Sequence, residues 1–228
     1  MARIPGESLL AARPPDDATD GGPPGCPTIG VLALQGDVLE HLRLLRAAGA
    51  RAVAVKRTNE IGNLDGLVIP GGESTTIGKL AAMYGLLDPL RQRLRKGMPA
   101  FGTCAGAILL ARQALHADGR PAQQPLLAAM DIVVRRNAFG RQIASFEADL
   151  DVVGLTGEPL HAVFIRAPWI EAHGPSVDIL ATVGTPLGDK VVVARQGNLL
   201  ASAFHPELTD DGRLHALFVD MVREAATV

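Results

Sequence analysis

Apolar positions along the chain change rhythm between its two halves. Ile29–Leu34, Ala52–Val55, Leu67–Ile69 and Pro99–Phe101 are continuous apolar runs, as strands buried on both faces of a sheet are. Between them the spacing becomes helical. Val38, Leu39, Leu42, Leu45 and Ala48 share one face, and Gly49 closes the run. Thr76–Tyr84 and Leu86–Arg95 read as helices, and so does Ala105–Leu115, which has no Pro and no Gly after position 106. In the second half the apolar runs Ile132–Val134, Ala162–Ile165, Ile179–Val183, Val191–Ala194 and Leu199–Phe204 follow one another without helical segments, and Ser145–Val153 alternates as an antiparallel strand does. His116–Pro125 is polar and broken by Gly and Pro, so it reads as a surface loop. A final amphipathic helix runs from Arg213 to Ala225, with Asp210 or Asp211 as its cap. This order predicts an α/β fold of three layers: a mostly parallel central sheet, helices on both faces, and an antiparallel addition.

Composition narrows the class. The 228 residues are 47% hydrophobic, enough for one well-buried domain without requiring two. Before Thr28 the pattern fails: Pro5, Pro14, Pro15, Pro23, Pro24 and Pro27 are interspersed with Asp16, Asp17 and Asp20. Such a segment buries too little apolar area to offset its ordering entropy. The expected organisation is a disordered leader, 1–27, followed by one domain, 28–228. A net charge of -2 and the lack of a basic stripe argue against nucleic acid as a partner. No run approaches the ~20 apolar residues of a membrane span, and the N-terminus lacks a signal pattern. Two cysteines, Cys26 and Cys104, fit a reducing cytoplasm.

One of them sits where chemistry is expected. Phe101-Gly102-Thr103-Cys104-Ala105-Gly106 reads as strand, sharp turn and helix. A cysteine at a helix N-terminus meets unpaired N–H groups and a dipole that favour its thiolate, the nucleophilic form. Glycine on either side permits a strained turn and close approach of a substrate. A small buried cysteine at an α/β corner is the plainer alternative. A second loop, Pro70-Gly71-Gly72-Glu73-Ser74-Thr75-Thr76, also follows a buried strand; Ser74 or Thr75 can cap the next helix, and the loop's backbone N–H groups suit an oxyanion or a substrate. Of six histidines, His41 and His215 fall within helices with nothing singular nearby, and His116, His161 and His173 fall in loops. His205 ends an apolar strand, where a parallel sheet could bring it beside Cys104. Glu207 follows on the same side of an extended chain and could orient the imidazole. Arg136 and Arg166 each follow a short strand and are either surface charges or holders of a carboxylate.

Taken together these residues resemble a known family. Phe101–Gly106 with His205-Pro206-Glu207 is similar to the class I, or triad, glutamine amidotransferases. Gly30–Gly36, Ile69–Thr76, Arg136–Gln142, Ser145–Leu150, Phe164–Pro168 and Ser202–Thr209 more narrowly resemble the glutaminase subunits of pyridoxal 5'-phosphate synthase. The resemblance runs from Ile29 to near the C-terminus. It implies hydrolysis of L-glutamine to glutamate and ammonia, with the ammonia passed through a tunnel to a (β/α)8-barrel synthase subunit in a hetero-oligomeric complex. It implies Cys104, His205 and Glu207 as the catalytic triad, backbone N–H groups near Gly72 and Ala105 as the oxyanion site, and Gly72, Glu73, Ser74, Arg136, Ile165 and Arg166 as glutamine-binding residues. No metal or organic cofactor is implied. The leader falls outside the resemblance, and His116–Pro125 is longer and richer in proline than the family's usual connection. Two rival readings stay open. One is a triad glutaminase serving another synthase, such as the imidazole-glycerol-phosphate enzyme, which Asn137–Leu150 argues against. The other is a non-catalytic scaffold with the same fold, which the intact Cys104, His205 and Glu207 argue against.

Overall fold

The structure, a computed structural model, describes residues 25–139 and 145–227. The expected leader up to position 24, and Gly140, Arg141 and Gln142 of the Arg136–Gln142 motif, lie outside the described residues.

In chain order the first half comprises β1 (Thr28–Leu32), α1 (Val38–Ala47), β2 (Arg51–Val55), β3 (Gly66–Ile69), α2 (Ser74–Met83), α3 (Leu87–Arg95), β4 (Ala100–Thr103) and α4 (Ala105–Leu110). The second comprises β5 (Ala111–Leu115), β6 (Met130–Arg135), β7 (Ser145–Leu150), β8 (Leu160–Ile165), β9 (Trp169–His173), β10 (Asp178–Val183), β11 (Lys190–Gln196), β12 (Leu199–Ser202) and α5 (Arg213–Ala225). The large sheet has the order β2-β1-β3-β4-β12-β11-β9-β6-β5, with β10 paired to β11; β7 and β8 form a separate antiparallel pair. From β2 through β12 every pairing is parallel. From β12 to β6 they are antiparallel, and β5 returns parallel to β6.

Strands of alternating side chains divide the interior into two hydrophobic cores, one on each face of the sheet. Leu67 and Ile69 of β3 join Ile77, Leu90, Leu94 and Ile108 under α2, α3 and α4. Val68 between them joins Leu42, Leu45, Leu214 and Phe218 under α1 and α5. This is the expected three-layer α/β arrangement with its antiparallel addition.

Two segments depart from the sequence reading. Ala111–Leu115 is a strand, not the end of a helix: the backbone becomes extended at Ala111 and pairs with β6 from Ala111↔Met130 to Leu115↔Arg135. Cross-strand pairing overrides the helix propensity of Ala, Arg, Gln and Leu there. Trp169–His173, which the sequence reading did not mark as a strand and whose His173 it placed in a loop, is β9, wedged between β11 and β6. Only Trp169 and Ile170 of it are buried, so no alternating pattern marks it. His173 therefore lies in a strand, and so does His161, in β8.

Candidate active site

The corner between β4 and α4 is strained at one residue. Cys104 has φ 48 and ψ -103, outside the regions that L-residues favour. Its N–H donates to the Ser202 carbonyl of neighbouring β12 at 2.8 Å, which holds the turn in place. The flanking glycines serve close packing. A Cβ on Gly106 would sit 1.9 Å from the Ile69 carbonyl oxygen, and one on Gly102 2.5 Å from the Gly106 backbone. The helix thus presses its first turn onto β3 and β4, and the strain falls on the cysteine between.

Parallel pairing of β4 with β12, with Ser202 opposite Thr103, carries the chain beyond β12 to the same end of the sheet. His205 follows, its N–H anchored to the Val163 carbonyl at 3.0 Å. Its Nδ1 donates to Glu207 Oε1 at 2.8 Å, and its ring shares the cavity wall with Cys104. Gly71 lies flat against this ring: a Cβ there would be 2.4 Å from Cε1. Burial opposes charge on His205, yet the hydrogen bonds and negative charge of Cys104 and Glu207 prevail and raise it to about 10. Burial likewise opposes charge on Glu207, but the His205 hydrogen bond, with the His41 imidazole facing the other oxygen, lowers it to about 2.

Cys104 and His205 open into a cavity of about 440 Å³ that Gly72, Glu73, Ser74, Arg136, Ile165 and Arg166 also line. Every residue expected to bind glutamine is therefore at one place, with Glu207 buried behind His205. The helix cap differs from expectation. Glu73, not Ser74 or Thr75, caps α2, accepting from Thr75 N at 3.2 Å and Thr76 N at 2.7 Å. Partial burial works against its charge, and the Thr76 and Thr75 hydrogen bonds overcome this and lower its pKa. Arg136 Nη2 donates to Glu73 Oε1 at 2.8 Å, and Nη1 to Thr75 Oγ1 at 3.0 Å and Gln124 Oε1 at 2.8 Å. Arg136 is thereby committed to ordering the loop. Arg166, in the left-handed region at φ 44, has no ion-pair partner among the described residues.

Residues 31–224 match the SNO glutamine amidotransferase family. The chain belongs to that family. It is 59% identical over 201 residues to the pyridoxal 5'-phosphate synthase subunit PdxT of Frankia casuarinae, covering 88% of this chain and 98% of the relative. It is 60% identical over 203 residues to the PdxT subunit of Nocardia farcinica, covering 89% and 88%. Among solved structures, a crystal structure of a glutamine amidotransferase superposes with a TM-score of 0.78 at 49% identity, over 86% of this chain and 98% of that one. PurLQS from Thermotoga maritima, with a TM-score of 0.60 at 13% identity over 89% and 98%, shares the fold alone.

Several residues around this SNO-family site were not singled out in the sequence. Gln35, in the turn after β1, accepts from Glu73 N at 2.8 Å and occupies the space a Cβ on Gly72 would need. Gln124, within the polar His116–Pro125 stretch, accepts from Arg136 and also from Ser74 and Thr75 hydroxyls at 3.3 and 3.4 Å. His41 and His215, read as unremarkable helical histidines, are fully buried and hydrogen-bonded to each other at 2.8 Å, with His41 facing Glu207. The motif signal for Gln35 was its place inside Gly30–Gly36; for the others only the fold brings partners into view. Asp37, His205 and Glu207 place three potential metal-ligand atoms within 4.8 Å, but the last two are already engaged with each other at 2.8 Å.

Proposed function

We propose that this chain is the glutaminase subunit of a pyridoxal 5'-phosphate synthase and that Cys104, His205 and Glu207 are its catalytic triad. The single observation that carries the reading is the convergence of a buried nucleophile, an imidazole and a carboxylate, from two strand ends, beside the cavity. His205 takes the thiol proton. The Cys104 sulfur attacks the side-chain amide carbon of L-glutamine, forming a C–S bond and an oxyanion. Helix-start N–H groups at Ala105 and the backbone at Gly72 face that oxygen, since the first N–H groups of a helix have no intrahelical acceptor. His205 then returns its proton to nitrogen, the C–N bond breaks and ammonia leaves. Water, deprotonated by His205, attacks the γ-glutamyl thioester; the C–S bond breaks, the sulfur regains a proton, and glutamate departs. Glu207 keeps the imidazole oriented and stabilises its cation.

Substrate recognition follows the cavity wall. Arg166 takes the substrate's α-carboxylate, a role for which Arg136, bound to Glu73, is less available. Gly72, Glu73 and Ser74 supply the polar rim, and Ile165 covers the aliphatic part of the substrate. The ammonia passes to a (β/α)8-barrel synthase subunit in a hetero-oligomeric complex, and neither nucleic acid nor membrane takes part. No helix among the described residues is long and apolar enough to cross a membrane. Both cysteines are free, in keeping with a cytoplasmic location.

The deciding experiment is a glutaminase assay with and without the synthase subunit, followed by mass spectrometry after treatment with an electrophilic glutamine analogue. The expected result is glutamate release stimulated by the synthase and a single adduct on Cys104. Absence of that adduct with the synthase present would leave only a scaffold role.

A further inference from the structure

The two oxygens of the Glu207 carboxylate have unequal surroundings. The residue is 1% exposed. Oε1 accepts from His205 at 2.8 Å. Oε2 has no formed hydrogen bond among the described residues and faces His41 Nε2 at 3.4 Å, with both side chains fully buried. A buried carboxylate oxygen with no donor is costly, and at 3.4 Å the His41 contact is chiefly electrostatic, strengthened by the low local dielectric.

His41 comes from α1, which packs on one face of the sheet beside α5. Its other ring nitrogen, Nδ1, meets Nε2 of His215 on α5 at 2.8 Å, and the Thr103 hydroxyl, one residue before the nucleophile, lies 3.4 Å from His41 Nε2. His215 Nδ1 is buried without a partner among the described residues. Burial lowers His215 to about 3, so it is neutral. One proton arrangement satisfies the chain best. His215 Nε2–H donates to His41 Nδ1, which places the His41 proton on Nε2, pointed at the anionic Oε2. The bare His215 Nδ1 is then the sole orphan, a cheaper one than a buried N–H.

We propose that His41, with its tautomer set by His215, is a positioning residue that supplies the second buried donor to Glu207 and so keeps that carboxylate ionised and aimed at His205. The proposal rests on the triad reading above. It extends the relay from the sulfur through the molecule's interior to a pair of helices on one face of the sheet.

The test uses the full chain with its synthase subunit. His41→Met and His41→Gln have similar length and volume, but only Gln keeps a donor near the position of Nε2. His41→Met is expected to lower kcat about tenfold or more, the loss of a polar N–H facing a buried charged group, with KM for glutamine within about twofold of the parent. His41→Gln is expected to recover most of that loss. Should His41→Met not fold, His215→Phe, which keeps the ring volume and removes the donor to His41, replaces it, with a smaller fall in kcat and the same unchanged KM. A folded donor-free variant with parental kcat, or equal losses in the Met and Gln variants, overturns the proposal. Glu207→Gln in the same assay separates the two readings. If it is fully active, the triad and this proposal fall together; if it is impaired while His41→Met is not, His41 alone loses its role.

Discussion

Burial together with the pairing of ionisable side chains around Cys104 sets opposite pH responses in neighbouring residues. Glu207 is lowered from 4.5 to about 2, so its stabilising contribution is present above pH 4.5 and is lost as pH falls toward 2. His205 is raised from 6.5 to about 10, so its contribution is full below pH 6.5 and is lost as pH rises through 10. His215 is lowered from 6.5 to about 3 by burial, so the unfolded chain takes up a proton there before the native one does, and stability drains away as pH falls from 6.5. Between pH 6.5 and 4.5, His215 alone of these three is changing. In that window the unfolding free energy is expected to fall with a slope of up to about 1.4 kcal/mol per pH unit, and His215→Phe is expected to be flatter. Urea unfolding at several pH values checks this; parallel slopes for the two proteins would contradict it. For Glu207→Gln, turnover is expected to drop far more than apparent glutamine affinity, because the carboxylate stabilises an imidazolium that develops during reaction. Steady-state kinetics in which only KM changed would remove its orienting role.

At the level of elements, the decisive contact is α4 against β3 and β4. Ala at position 106 would drive its Cβ to 1.9 Å from the Ile69 carbonyl oxygen, and neither partner is a flexible side-chain end. Gly106→Ala is expected to destabilise the protein by about 2–4 kcal/mol and to displace Cys104, which thermal unfolding and the rate of Cys104 alkylation both report. A melting temperature equal to the parent's would mean that the corner relaxes more easily than its packing implies. The same elements show how far a local pattern reads. The buried parallel strands announced themselves as apolar runs, and α1, α2, α3 and α5 as periodic stretches. β5 did not, since its residues are good helix formers held extended only by pairing with β6. Nor did β9, whose two buried residues precede an exposed, charged half. Gln124 sits in a stretch that composition marks as loop, and its value comes from three donors that arrive from α2 and from the turn after β6.

Across the whole molecule, the site is assembled at one end of the sheet while the rest of the sheet serves as its mount. This separation of labour gives a prediction about the complex. Cys104→Ala is expected to abolish glutamine hydrolysis and leave ammonia-driven pyridoxal 5'-phosphate formation by the synthase subunit intact, as absorbance of the product with each nitrogen source will show. Loss of both would argue that the subunit contributes more than ammonia. The family match begins at residue 31, and the sheet's hydrogen bonds begin at the Pro27 carbonyl, which accepts from Arg51 N at 2.9 Å. Removal of residues 1–25 is accordingly expected to leave the glutaminase rate and melting temperature near those of the full chain.

Sequence by itself determined the layered α/β class, the cysteine at the strand-to-helix corner and the residues that end its partner strand, because each depends on local pattern: buried runs, helical periodicity, glycines flanking a cysteine. It also carried the loop that follows β3. The tertiary structure alone decided which nitrogens and oxygens meet. Pairing of β4 with β12 puts His205 beside Cys104, the Arg136 guanidinium is spent on Glu73, and α1 with α5 bury two histidines behind Glu207. Such contacts join positions far apart in the chain through side-chain geometry, and no one-dimensional period records that.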